Sequence, residues 1–205
     1  MYVPAHFAAP DDALDQLLAA PGAVDLVSST AEGLTATTLP MLHDPAAGTL
    51  TGHVARTNPQ WRDTVGDVLV IVRGPDAYVS PAWYVTKAEH GRVVPTWDYV
   101  LAHVHGELVV HDDVAWLEQH VRRLTAAHEG ARPQPWSVSD APERFVAGQL
   151  RAIVGVEVRI RRVEAKWKLS QNRPGADIDG VLAGLAADGR PDVAAAVRAA
   201  RPSDR

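Results

Sequence analysis

Three stretches of this 205-residue chain gather side chains that could do chemistry. The first is Thr51-Gly52-His53-Val54-Ala55-Arg56-Thr57-Asn58-Pro59-Gln60-Trp61. Hydroxyls, an imidazole and a guanidinium stand beside an Asn-Pro turn, the donor set a phosphate monoester needs: a fork-like cation with several short donors. A strand end capped by polar residues accounts for the same stretch without a ligand. The second is Lys166-Trp167-Lys168-Leu169-Ser170-Gln171-Asn172-Arg173, polar, cationic and aromatic. It suits an anion or a planar heterocycle, or it is a basic loop over a barrel end. The third is His103 and His105, which share one face of a strand. Two imidazoles can chelate, but a closed site needs further ligands, and no others are identifiable, so no metal site is expected. Trp83-Tyr84 and Trp97-Asp98-Tyr99 fit a ligand pocket or a subunit interface, because one end of each ring is apolar and the other polar.

Other chemistries are excluded. The absence of cysteine removes disulfides, zinc ribbons, iron–sulfur clusters and thiol nucleophiles. There is no Gly-x-Ser-x-Gly elbow, no phosphate-binding Gly-x-x-x-x-Gly-Lys loop, no His-Glu-x-x-His and no Gly-x-Gly-x-x-Gly after a strand, so no catalytic residue is assigned. A net charge of −5 argues against a nucleic-acid polycation. The charge is uneven: residues 1–50 hold six acids and no Lys or Arg, whereas Arg151, Arg159, Arg161, Arg162, Lys166, Lys168 and Arg173 cluster late. That basic stretch faces an anion or solvent. No apolar run reaches a membrane span, and the opening Met1-Tyr2-Val3-Pro4-Ala5-His6 is unlike a secretory signal, so the expected compartment is the cytoplasm.

The elements that must position these groups follow from periodicity. Ala13, Leu14, Leu17 and Leu18 predict a helix over 11–20, capped by Asp11 and ended by Pro21-Gly22. Short β-rich runs follow at 23–29, 34–42, 49–54, 67–73 and 77–80, separated by Glu32-Gly33, Asp44–Gly48, Asn58-Pro59 and Gly74-Pro75. A strand pair bent near Gly106 is expected within 96–110. Val114, Leu117, Val121 and Leu124 predict a helix over 113–127, and a second covers 142–153. Residues 154–163 alternate as a half-buried strand. The Ala-rich tail predicts two short helices broken at Gly189–Pro191. With few base-reading side chains at their starts, those helices are expected to pack on the barrel or a partner subunit, and direct DNA binding is not expected. The predicted class is mainly β (α+β), a barrel or sandwich without βαβ units.

Eight ordered segments, from Met1-Tyr2-Val3-Pro4-x-His6-Phe7 through Gly52–Trp61 and Gly74–Tyr84 to Lys166–Arg173, resemble the PaiB-type family of FMN-binding negative transcriptional regulators. The resemblance implies a split β-barrel of the pyridoxamine-phosphate-oxidase kind with peripheral helices. It places a flavin domain at 1–173 and a helical extension at 174–205. It further implies a homodimer with FMN at the subunit interface. By the same likeness, Thr37, Thr38 and Leu39 line the ring edge, and His53, Val54, Ala55, Arg56 and Asn58 hold the phosphate turn. Lys168, Ser170 and Gln171 belong to the Trp167–Asn172 segment that reaches across the interface, and Trp97 completes the implied cofactor-binding set. An FMN- or F420-dependent oxidoreductase or flavin reductase on the same fold is the alternative, since the cofactor carries such chemistry.

Overall fold

The computed structural model describes residues 1–10, 13–19 and 22–202. Its strands are β1 (Gly22–Thr30), β2 (Gly33–Asp44), β3 (Thr49–Ala55), β4 (Val65–Val79), β5 (Thr96–His111) and β6 (Ile153–Lys168). They neighbour one another in the order β1-β2-β3-β6-β5-β4 and close into a barrel, the split-barrel class expected from the sequence. The described helices are α1 (Ala13–Ala19), α2 (Gln60–Asp63), α3 (Thr86–His90), α4 (Val114–Glu129), α5 (Glu143–Arg151), α6 (Gly175–Ala187) and α7 (Pro191–Ala199). The expected cap at Asp11 and stop at Pro21 lie outside the described residues. Among the described residues no helix is long and apolar enough to cross a membrane.

Two expectations are corrected. The runs 67–73 and 77–80 form one strand, β4, that passes through Gly74-Pro75 without turning. Pro75 lacks an N–H, but the register with β1 runs from Val65 to Ile71, so this proline lies beyond that ladder and removes no bond from it. The strand pair expected within 96–110 is likewise one strand, β5. Gly106 serves close approach there: a Cβ would collide with the Arg159 carbonyl of β6.

The chain forms two compact units. One comprises residues 15–72 and 103–163. It contains the β1–β2 hairpin, closed at Gly33 with φ +118°, where an L side chain is disfavoured. Its inward faces carry Leu26, Val68, Val70, Val154, Val156 and Val158. Antiparallel β3 and β6 pair from Thr49↔Arg159 to Ala55↔Ile153. Asp113 caps α4 by accepting the Trp116 N–H at 2.9 Å. Trp116 lies where any Gly155 side chain would have to be, so the bare backbone of β6 seats the helix. The buried side chains of α4 are Leu117 and His120; Val114, assigned to its apolar face from spacing, sits in the first turn and is exposed.

The other unit comprises residues 1–14, 73–102 and 164–205. Here α6 and α7 bury Val181, Leu185, Val193 and Val197. Gly180 and Gly184 make α6 flat enough to receive Trp83, whose indole occupies the space beside Gly184. Asp177, fully buried, accepts the Thr86 N–H at 3.0 Å and the Thr86 hydroxyl at 2.7 Å.

Gly155→Val should overpack the Trp116 seat and destabilise the protein by about 1–3 kcal/mol. Urea unfolding measures this, and Trp116→Leu added to the same chain should recover part of the loss, because the two sites share one volume.

Candidate functional site

The first eight expected site residues fall in the unit of residues 15–72 and 103–163. Alternation along β3 sends His53 to the face that α4 covers and Val54 to the core, where it is buried, as is Leu39 on β2. Their side chains therefore pack the barrel, and backbone is what they offer to a ligand. Thr38 donates to Asp25 at 2.6 Å across the β1–β2 pair. Thr37 donates to Gln60 Oε1 and accepts from Asn58 Nδ2 at 2.9 Å. Gln60 is itself buried and donates to the Leu26 carbonyl at 2.9 Å and to Ser28 Oγ at 2.8 Å. The Asn-Pro-Gln turn is thus a polar lock that fastens α2 to β1 and β2.

Arg56 is engaged as well. Its guanidinium grips Asp112 with both terminal nitrogens, at 2.9 and 2.5 Å. Its Nε donates to the Arg151 carbonyl at 2.8 Å, and one terminal nitrogen also reaches the Ile153 carbonyl at 3.1 Å. Hydrogen bonding to Asp112 raises the Arg56 pKa, and the same bond holds the Asp112 carboxyl below its ordinary range. The fork that a phosphate would use holds the end of α5 and the start of β6.

Behind His53, the rings of His53 and His120 meet edge to face at 5.4 Å. Burial lowers both imidazoles. For His120, burial first and then His53 and Arg123 bring the pKa to about 4. His103 and His105 do share one strand face, their rings 6.4 Å apart.

Trp97, Lys168, Ser170 and Gln171 fall in the other unit. Lys168 Nζ donates to Thr96 Oγ1 at 2.7 Å and to the Trp97 carbonyl. Ser170 adopts φ 63°, uncommon for a residue with a Cβ, and donates its hydroxyl to the fully buried Asp98 at 2.9 Å. Gln171 closes the turn by donating to the Trp167 carbonyl and accepting the Leu169 N–H at 2.8 Å. Burial raises Asp98 to about 6, against the opposing pull of Ser170 and Lys168. Burial lowers Lys168, as do Lys166 and Arg173, while Asp98 raises it. Lys166 stands 5.5–5.9 Å from the rings of Tyr2, Phe7 and Tyr99. The Arg173 guanidinium lies 4.5 Å over the ring of the buried Tyr84. Three cations and several ring faces make a set that fits an anionic aromatic ligand. Trp97 is half-exposed and meets Tyr78 edge to face at 6.3 Å.

Sequence spacing did not assign Asp112, Gln60, Asp98 or His120 to a site. Asp98 and Gln60 lie inside the singled-out stretches, and a carboxylate between two aromatic residues was the available signal. Asp112 carries no local signal, because its partner lies 56 residues away.

Residues 1–162 match the family described as "Putative FMN-binding domain". An uncharacterized protein of Aspergillus fumigatus is 35% identical over 176 residues, 69% of this chain and 67% of that protein. The Bacillus subtilis protein named "Protease synthase and sporulation protein PAI 2" is 32% identical over 147 residues, 70% of this chain and 67% of that protein. The chain spans about two thirds of both relatives. In fold it is similar to the conserved hypothetical protein Rv2991 of Mycobacterium tuberculosis, with TM-score 0.58, 11% identity, and coverage of 85% of this chain and 94% of that one.

Among the buried groups, His120 and Asp98 act on stability in opposite directions. His120 is held neutral, so its contribution is present above pH 6.5 and is lost as pH falls toward about 4. Asp98 is held protonated, so its contribution is present below pH 3.8 and is lost as pH rises through about 6. Each is worth on the order of 3 kcal/mol at 1.36 kcal/mol per pKa unit. Between pH 4 and 6 the two should largely cancel. Urea melts across that range should show His120→Gln losing stability with rising pH and Asp98→Asn gaining it; parallel slopes in both variants would show that the shifts are absent.

Proposed function

Since the chain belongs to the FMN-binding family matched by residues 1–162, we propose that it works as a homodimeric FMN-binding split barrel of the negative transcriptional regulator type, its flavin held at the subunit interface. The observation that carries this reading is the cation–aromatic group Lys166, Lys168 and Arg173 on Phe7, Tyr99 and Tyr84. A flavin mononucleotide presents what such a group binds: a phosphate dianion and a flat, electron-poor ring system. Bound FMN would supply redox chemistry that the side chains lack. Ser170 and Gln171 spend their side-chain donors on Asp98 and the Trp167 carbonyl, so their part is to hold the turn that positions Lys168.

In the turn at His53–Asn58 the main-chain N–H groups of Arg56 and Asn58 already bond the Ala152 and Ala55 carbonyls. Arg56 serves a phosphate only in exchange for Asp112. Exposed Trp97 and Tyr78 supply the aromatic surface of the proposed interface, and a two-fold dimer is the commonest symmetric assembly. The C-terminal helices begin Gly175-Ala176 and Pro191-Asp192, without side chains suited to reading base edges, so the proposed regulation acts through a partner or a metabolite signal rather than through these helices on DNA.

Flavin fluorescence titration of the wild type, Lys166→Gln and Lys168→Gln with FMN and with riboflavin tests the proposal. Each variant should lose about tenfold in FMN affinity with a smaller loss for riboflavin, which has no phosphate. Equal losses for both flavins would place the phosphate elsewhere. Asp112→Asn adds a second arm: FMN binds several-fold tighter if the freed Arg56 fork takes the phosphate, whereas unchanged affinity with reduced stability assigns Arg56 to holding α5 and β6.

A further inference from the structure

Asp98, on β5 and fully buried, sits beside the cations of the 166–173 segment. Its carboxylate has few partners for a group so far from water. The Ser170 hydroxyl lies 3.1 Å from one oxygen and 2.9 Å from the other, and it has a single proton to give. Lys168 Nζ stands 3.9 Å from Oδ1, close enough to pair as ions but too far for a hydrogen bond. An ionised carboxylate out of water needs both pairing and full hydrogen bonding. Asp98 is only partly provided for, so burial raises it to about 6 against the pull of the Ser170 hydroxyl, Lys168, the Ser170 main-chain N–H and Arg173.

The geometry around Asp98 ties it to Lys168. Lys168 spends two of its three N–H donors on Thr96 Oγ1, at 2.7 Å, and on the Trp97 carbonyl. The third remains for Asp98 or for a ligand, and with its side chain 21% exposed Lys168 is within a ligand's reach. The charged and titratable groups that face Asp98 are Lys168 from β6, Arg173 from the turn after β6 and Tyr84 from the segment after β4. Burial raises the Tyr84 phenol, so it stays neutral over the range in which Asp98 titrates. Lys166 acts on Lys168. Lys168 is therefore the group through which the charge of Asp98 is felt by an incoming anion.

Two states follow. With Asp98 ionised, it offsets the charge of Lys168, and an anion approaching that ammonium meets a carboxylate 3.9 Å from it. With Asp98 protonated, the Lys168 charge is uncompensated. A bound anion in turn favours the protonated acid, because a nearby like charge disfavours ionisation. We propose that Asp98 couples this set to pH: a phosphate-bearing ligand at Lys168 binds with uptake of a proton on Asp98 and is released as Asp98 ionises. The coupling rests on the reading of these cations as an anion site and adds to it a means of regulation.

The test is a carbon-13 NMR titration of the full-length protein labelled at its Asp carboxyls. The Asp98 signal is assigned by its loss in Asp98→Asn and its shift in Ser170→Gly, a change that suits φ 63° and deletes the hydroxyl. Sulfate is the probe, since it stays a dianion across the range, whereas a phosphate monoester itself titrates near about pH 6. At constant ionic strength sulfate should raise the Asp98 midpoint, and Lys168→Gln should abolish that rise. In fluorescence titrations, FMN affinity of the wild type relative to Asp98→Asn should fall about tenfold between about pH 5 and pH 8. The proposal is overturned if sulfate leaves the midpoint in place, if Lys168→Gln keeps the sulfate effect, or if wild type and Asp98→Asn bind FMN with the same pH dependence. A sulfate effect in a protein that takes up no FMN supports the coupling and overturns the flavin reading alone.

Discussion

The contact between Trp116 and Gly155 sets the arrangement of the unit that holds β3. Because β6 has no side chain at residue 155, the indole lies against the strand and brings α4 down onto β3. The neighbouring geometry follows from that seat. His53 is covered, His120 is buried beside it, and desolvation keeps both imidazoles neutral. The same approach encloses the Thr51 hydroxyl without giving it a partner. One missing Cβ thus decides how closely α4 covers the polar groups of β3.

Cations meet carboxylates in both units, and in one of them they also meet aromatic rings. In the unit of residues 15–72 and 103–163, arginines are matched with carboxylates: Arg56 with Asp112, Arg123 with Asp44, and Arg161 with Asp67 and Glu107. Exposed pairs of this kind add little stability, so their main effect is to fix geometry and cancel local charge. In the other unit, Arg190 pairs with Asp192, Arg201 with Asp179 and Lys168 with the buried Asp98, while Lys166, Lys168 and Arg173 also lie near aromatic rings.

Much of the architecture was legible in the sequence because strand alternation and helix spacing are local signals. The hairpins at Glu32-Gly33 and Asp44–Gly48, the start of α4 beside Asp113 and the break between α6 and α7 all fall where residue types put them. Where the reading erred, a local rule met a non-local fact. Gly74-Pro75 has turn chemistry but lies in a strand beyond the β1 ladder, and Gly106 marks a close approach to Arg159 rather than a bend. The site residues were legible as types and not as states. The donors of Arg56 and Asn58 were visible, but their partners Asp112 and Thr37 lie 56 and 21 residues away, and no spacing rule shows that those donors are already taken.

The central claim, a homodimer that carries flavin at its interface, is tested most directly by native mass spectrometry of the full chain purified with excess FMN. The account predicts a dimer carrying two FMN molecules and a monomer carrying none. Flavin retained by a monomer, or a dimer that takes up no flavin at saturating FMN, would contradict it.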